Sequence, residues 1–492
     1  MNKTSYLIFL IFVFSLQFCF GQTSGKISGK IIDKKNGTAL VGANIIIVQT
    51  QSGTSADKEG FFNIINVSPG KYSVRVMMIG YESITIEDVI VSVNRTTSLD
   101  IEMNQSVIEG QEVVIYASKF SRKKDQTSTM KNISSEEIDI LPVDNLGAVV
   151  NMQAGVVAGH FRGGRSDEVS YMIDGVAVND AFGGVSAVST LEVEAVKDLE
   201  VITGTFNAEY GNAMSGVVNA VTKNGSNEFH GSINTGYSTY LTKNKKNNEK
   251  IFIGLDPFGI NSNSDLRFNL SGPVVKDRVY FFSNFRKQNI NGHLNGIRRF
   301  EVWNLSDFYD QDSSKWYSEN TGDSSYVPMN KGDYSSLMAK LSINLGSIKI
   351  AAMLNQNLSI SKGYSHIYKY NPDGRSYSDG NTTLLMFQLN HFLNEKMFYD
   401  LKFSRTNNDY GSYVFEDYDS FNILQEDGIY QGVYYFAGDT IYNYVNDKYM
   451  TAYGAGFFTG GQDKGHLNRT TIANNLKFDF TWQITNAHNI KT

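Results

Sequence analysis

The sequence predicts a mainly β protein whose second half is part of an antiparallel transmembrane β-barrel. Three observations point there. The 492 residues include 28 Tyr, 31 Phe and 44 Gly against only 6 Pro, a composition that favours many strands over helices. Beyond the first residues, no apolar stretch approaches the roughly 20 residues that a membrane-crossing helix needs. From Glu228 onward, apolar and polar residues alternate in runs whose connections are by turns short and long.

Residues 1–21 read as an export signal: Lys3 lies in a short basic region, an apolar run spans Tyr6 to Phe14, and Gly21 is placed for cleavage before Gln22. Cys19 follows the bulky Phe18, which suits lipoprotein processing poorly. Once the signal is removed the chain holds no cysteine, so disulfides and thiolate metal sites are excluded. The net charge of -6 and the lack of a basic cluster exclude a nucleic-acid partner.

Residues 25–105 alternate β-prone runs with turn signals: Lys26 to Asp33, Ala43 to Gln49, Gly60 to Ile65 and Lys71 to Met78, with turns at Lys34 to Gly37 and at Pro69-Gly70. Such spacing predicts a small β-sandwich. Gly29-Lys30-Ile31, Leu40-Val41-Gly42-Ala43, Gly60-Phe61-Phe62, Pro69-Gly70-Lys71-Tyr72 and Gly80-Tyr81 resemble the carboxypeptidase-regulatory-like domain. That resemblance implies a transthyretin-like, non-catalytic module. None of the seven histidines lies in an H-x-x-E or H-E-x-x-H arrangement, so a zinc carboxypeptidase is rejected and no catalytic, metal or cofactor residue is assigned.

A linker over 106–126 contains Glu112, Val113, Val114, Ile115, Tyr116 and Ala117. Two readings stay open for this extended patch. It resembles a TonB box, which would add itself to a partner's sheet edge through main-chain hydrogen bonds, or it is one more strand of the sandwich.

Residues 127–224 contain Leu141-Pro142, Leu146-Gly147, Ala154-Gly155-Val156-Val157, then Arg162, Gly163, Gly164 and Arg165, then Tyr171-Met172-Ile173 followed by Asp174, Gly175 and Val176. Leu191 to Val196 and Leu199 to Gly204 follow, then Ala208, Glu209, Tyr210 and Gly211, and finally Ser215, Gly216 and Val217 to Lys223. In that order these runs resemble the plug domain of TonB-dependent receptors, which implies an α/β plug inside the barrel. Asp174-Gly175 is a natural tight turn between two β runs, and the glycines suit positions of positive φ. For Arg162 and Arg165 two readings stay open: bridges from plug to acidic residues on the barrel wall, or solvated surface charges.

Residues 228–492 carry the barrel pattern. Leu337, Ala339, Leu341, Ile343 and Leu345 alternate with Met338, Lys340, Ser342 and Asn344, giving one face to lipid and one to a polar lumen. Met397 to Ser404 and Leu476 to Ile484 repeat this. Turns at Pro273 to Asp277, Gly346-Ser347, Leu393 to Lys396 and Thr485 to His488 are short, whereas Leu241 to Asn263, Asn289 to Asp333, Ile360 to Asn381 and Thr406 to Leu467 are long. Short periplasmic turns with long external loops are the outer-membrane arrangement. A lumen holding such a plug calls for about 22 strands. The chain reaches roughly the ninth, so a longer barrel is expected.

Two weaker signals are set aside. Asp310, Asp312 and Ser314 have calcium-loop spacing, but Lys315 stands where such a loop wants glycine and Thr321 where it wants a bidentate carboxylate. Gly454-Ala455-Gly456 lacks the third glycine of a dinucleotide turn. The tyrosine-rich stretch Asp417 to Tyr453 suits either ligand stacking or the membrane interface.

The resemblance implies a receptor in the outer membrane, in contact with its lipid, with the N-terminal domain in the periplasm. It implies energised import of an unidentified cargo by a TonB-type complex, with room for a surface lipoprotein partner. Arg162 to Glu168 and Asp174 to Val176 look closer to Oar-like receptors than to SusC glycan importers. An adhesion or assembly protein on the same barrel is the alternative.

Overall fold

The computed structural model describes residues 24–93, 95–106, 112–116, 129–179, 191–204, 213–240, 245–246, 249–250, 252–255, 263–416, 418–419, 430–436, 440–445, 447–451, 456–485 and 488–491. The expected signal, Ala117 and the run Glu209 to Gly211 lie outside these residues.

The N-terminal unit is a two-sheet sandwich. Its first sheet joins β1 (Gly25–Asp33) to β4 (Phe61–Val67) and, in parallel, to β7 (Thr96–Ser98) and β8 (Ile101–Met103). Its second sheet runs β3 (Gly53–Ser55), β2 (Asn44–Ile47), β5 (Gly70–Met77), β6 (Ser83–Val91) and β9 (Glu112–Tyr116). Every other residue of β1 is buried, the period a half-covered strand demands. Ile27, Ile31, Ile45, Phe62, Val74, Ile84 and Met103 close the core between the sheets. The TonB-box-like segment is thus the edge strand of this sandwich, paired in parallel with β6 from Ser83↔Glu112 to Glu87↔Tyr116.

The second unit is α/β. Its sheet runs β10 (Met130–Ser134), β15 (Val196–Ile202), β16 (Gly216–Thr222), β13 (Val169–Ile173) and β14 (Val176–Ala177). A small hairpin pairs β11 (Val156–Val157) with β12 (His160–Phe161). Two short helices cover the sheet: α1 (Ser135–Asp139), whose N-cap Ser134 accepts from the Glu137 N–H, and α2 (Leu146–Asn151), whose N-cap Asn145 accepts from the Ala148 N–H. Those side-chain oxygens satisfy donors that a helix start leaves free. All seven residues of β16 are buried, as expected of a central strand covered on both faces.

The third unit is one antiparallel meander of nine strands: β17 (His230–Ser238), β18 (Asn263–Val275), β19 (Val279–Ile290), β20 (Gly332–Leu345), β21 (Ile348–Ser361), β22 (Tyr377–Asn394), β23 (Met397–Tyr413), β24 (Leu467–Gln483) and β25 (Asn489–Lys491). Its short connections fall where the alternation predicts them. Outward positions Leu337, Leu341, Leu385, Phe387, Phe403, Leu476 and Phe478 are exposed, while Met338, Lys340, Met386, Lys402 and Lys477 on the other face are buried. The sheet curves around the α/β unit, and Phe282, Met338, Met353, Leu384 and Met386 of its concave face join that unit's core. Methionine suits this seam because its unbranched chain fills irregular gaps.

The sandwich lies at the short-turn end of the sheet. Lys26 Nζ donates to Gln483 Oε1 (3.3 Å), Asn66 Nδ2 to Asn390 Oδ1 (2.8 Å), and the Val93 N–H to Asp198 Oδ2 of the α/β unit (3.1 Å). At the opposite end the long connections hold one another. Arg375 pairs with Asp463 at 2.8 Å, Ser306 Oγ meets Thr459 Oγ1 at 2.8 Å, and Arg298 bridges Asp323 and Asp373. Within the tyrosine-rich stretch, Tyr449 is buried in a cluster with Leu305 and Met450.

Candidate plug-wall interface

The Asp174-Gly175 turn forms as the sequence suggests: both residues have positive φ (47° and 74°), and Ile173 pairs with Val176 on either side. Two consecutive positive φ values define the hairpin turn whose twist matches its strands. The turn projects from the α/β unit into the concave wall, where three buried lysines converge on it. Lys340 Nζ on β20 contacts Asp174 Oδ2 at 2.9 Å and donates to Thr222 Oγ1 at 2.7 Å. Lys402 Nζ on β23 donates to the Asp174 carbonyl, and Lys477 Nζ on β24 to the Gly175 carbonyl, each at 2.9 Å. Thr222 completes the cradle, its N–H donating to Asp174 Oδ1 and its hydroxyl to Oδ2, at 2.9 and 2.6 Å.

Burial by itself would raise the Asp174 carboxyl. The Lys340 charge and the Thr222 hydrogen bonds outweigh it and hold the group below its ordinary 3.8. Lys402 and Lys477 are a registered cross-strand pair, as are Asp400 and Asp479 two residues along. Like charges directly opposite each other repel, and the turn's two carbonyls supply negative dipole where the lysines meet.

A second polar cluster lies higher on the wall. Arg286 on β19 pairs with Glu192 (3.1 Å) and Asp265 (2.8 Å), and Arg267 on β18 pairs with Glu194 (2.9 Å), Asp144 (3.0 Å) and Asp265 (2.9 Å). Tyr334 donates its hydroxyl hydrogen to Glu192 Oε1 at 2.9 Å. Burial raises the Glu192 carboxyl, and the Arg286 charge and Tyr334 bond oppose that only in part.

The sense of charge corrects one expectation. Arg165 remains exposed and lies 3.7 Å from Glu168 in its own unit, and the Arg162 guanidinium covers Gly204, where an added Cβ would meet it at 2.7 Å. Both are exposed, and among the described residues neither pairs with a wall carboxylate. Across the described interface the inserted domain instead contributes the anions Asp144, Asp174, Glu192 and Glu194 and the wall the cations, while the wall's own Asp265 is shared by Arg267 and Arg286. The glycines nearby have packing reasons: a Cβ on Gly164 would come within 2.3 Å of the Ser215 side chain, and one on Gly216 within 2.3 Å of the Phe161 ring, while Gly163 has a φ of 82°.

Residues 27–115 match the CarboxypepD_reg-like domain family, and residues 122–217 match the TonB-dependent Receptor Plug Domain. The chain is a TonB-dependent receptor with an N-terminal CarboxypepD_reg-like domain. It is 27% identical over 286 residues to the TonB-dependent transporter Oar of Myxococcus xanthus, a match covering 54% of this chain and 27% of that protein. It is 30% identical over 131 residues to the vitamin B12 transporter BtuB of Vibrio vulnificus, covering 24% of this chain and 22% of that one. Among solved structures it resembles the outer membrane transporter YddB of Escherichia coli at 12% identity, with a TM-score of 0.44 over 74% of this chain and 46% of the other. Each match spans less than half of its relative's length.

For a TonB-dependent receptor the interface has a plain meaning: ion pairs and hydrogen bonds, beside an apolar seam of Phe282, Met338, Met353, Leu384 and Met386, seat the plug against the wall. Of this seat, the sequence signals that mark the plug's own fold include only the Asp174-Gly175 turn. Lys340, Lys402 and Lys477 were visible only as lumen-facing lysines within otherwise alternating strands. Their convergence needs the cross-strand register, which pairs residues 75 positions apart.

Proposed function

We propose that this receptor imports a cargo across the outer membrane, with the energy delivered mechanically by a TonB-type complex that captures Glu112 to Ala117 from the periplasm. The supporting observation is the polar seat of the plug. A stopper held by ion pairs and hydrogen bonds reseats in one register after displacement, because buried polar groups accept few alternative partners. In this reading the long connections face outward and receive cargo, the outer strand face contacts lipid, and the CarboxypepD_reg-like domain hangs in the periplasm at the short-turn end. A surface lipoprotein over the external loops fits the same scheme.

An adhesion or assembly protein on this scaffold would have no use for a coupling strand, which gives the discriminating experiment. Proline at Val114 removes a backbone donor from that strand. The expected result for Val114→Pro is loss of binding to the purified periplasmic domain of the organism's TonB-type protein, with normal insertion into the outer membrane. Unchanged binding would contradict the assignment.

A further inference from the structure

The segment proposed to couple to TonB is already engaged, since all five residues of β9 are in register with β6. We propose that β9 is an exchangeable strand, held by the sandwich and surrendered to the energising partner before any pull reaches the plug. This rests on the proposed role of Glu112 to Ala117 and adds its regulation.

Several features make β9 the strand that can leave. It is last in the order β3-β2-β5-β6-β9, and among the described residues β6 is its partner strand. The pairing is parallel, slightly weaker per residue than the antiparallel pairing that binds β5 to β6 over Gly70↔Val91 to Val76↔Ile84. Val114, at the middle of β9, stays 50% exposed, and β9 is five residues long against eight for β5 and nine for β6. A competing strand from a partner would return to β9 the main-chain hydrogen bonds lost from β6, so exchange costs little net free energy.

The geometry also gives the exchange a purpose. The sandwich is fastened to wall and plug through Lys26, Asn66, Val93 and Arg95, the last donating to the Met130 carbonyl at 3.1 Å. While β9 lies on β6, tension on it is taken by this fastened sandwich. Once β9 is free, tension runs along the connection to β10, the plug's edge strand, which is held on one side by β15 from Met130↔Ile202 to Ser134↔Asp198. Coupling is thus gated by the sandwich edge.

A disulfide between registered positions tests this. Thr85→Cys with Val114→Cys would lock β9 to β6, and Cys19, the sequence's one cysteine, lies in the expected signal. The purified receptor is titrated with the periplasmic domain of the TonB-type protein, oxidised and then reduced. Exchange predicts at least tenfold weaker binding when oxidised, recovery on reduction, and no redox effect in either single variant. Equal binding in the locked form would overturn the proposal, because the partner would then be adding to the outer edge of β9 in place. Should Val114→Pro bind as the unaltered receptor does, the segment is not the coupling strand and both readings fall.

Discussion

Asp174→Asn is expected to loosen the plug more than any other single change at the wall. Asparagine keeps the shape and tolerates the positive φ of this turn, so the change isolates the charge. Lys340 would remain buried without its carboxylate, and breaking a buried pair from one side costs about 3–5 kcal/mol. The measurement is the urea concentration that releases the plug in detergent, read by protease access. The midpoint should fall sharply, and cells should become sensitive to bulky antibiotics that the outer membrane excludes. Adding Lys340→Met should restore most of the loss, because the orphaned charge goes with it. An unchanged midpoint in the single variant would show that the cradle does not hold the plug. The pH dependence follows from the depressed Asp174 carboxyl. A lowered folded value contributes stability that is present above the ordinary 3.8 and lost as pH falls through the folded value beneath it. The contribution of this contact should therefore be flat from pH 8 to about pH 5 and disappear only under strong acid.

Gly216→Val should damage the plug from within. The Cβ alone would meet Phe161 Cδ1 at 2.3 Å, Cγ at 2.5 Å and Cε1 at 2.8 Å, and that ring is 1% exposed with nowhere to turn. Gly216 also opens β16 opposite Val169 of β13, so a shift in the backbone would disturb the parallel pairing that carries the Asp174 turn. Overpacking of this kind costs about 1–3 kcal/mol, and here both branches of valine add to the overlap. Thermal unfolding of the plug should move to lower temperature, with partial recovery on Phe161→Leu. A variant as stable as the parent would mean that the Phe161 ring has room to move.

What was legible in the sequence follows the range of the interactions involved. Period-two alternation is set by neighbours along one strand, so Leu337 to Leu345, Met397 to Ser404 and Leu476 to Ile484 revealed their lipid and lumen faces directly. The Asp174-Gly175 turn was legible for the same reason, its requirement for positive φ being local. Pairing across the fold was not. Nothing in residues 112–117 alone says whether they extend toward a partner or lie on β6, since either use asks for the same β-prone, main-chain-bonded strand. The polarity of the plug-wall contacts was also hidden. Arg162 and Arg165 are conspicuous charges beside glycines, yet both are exposed on the plug, one lying over Gly204 and the other beside Glu168. The cations that act are spaced along strands far away in sequence.

In the proposed import cycle the plug leaves its lysine cradle only when pulled through the proposed coupling strand. Thiol labelling of Thr222→Cys in living cells tests this directly, because Thr222 is 1% exposed in the seated plug, where Lys340 of the wall contacts it. The prediction is rapid labelling in energised cells, and protection when the inner-membrane gradient is collapsed or when Val114→Pro is present. Labelling at the same rate in all three conditions would contradict it.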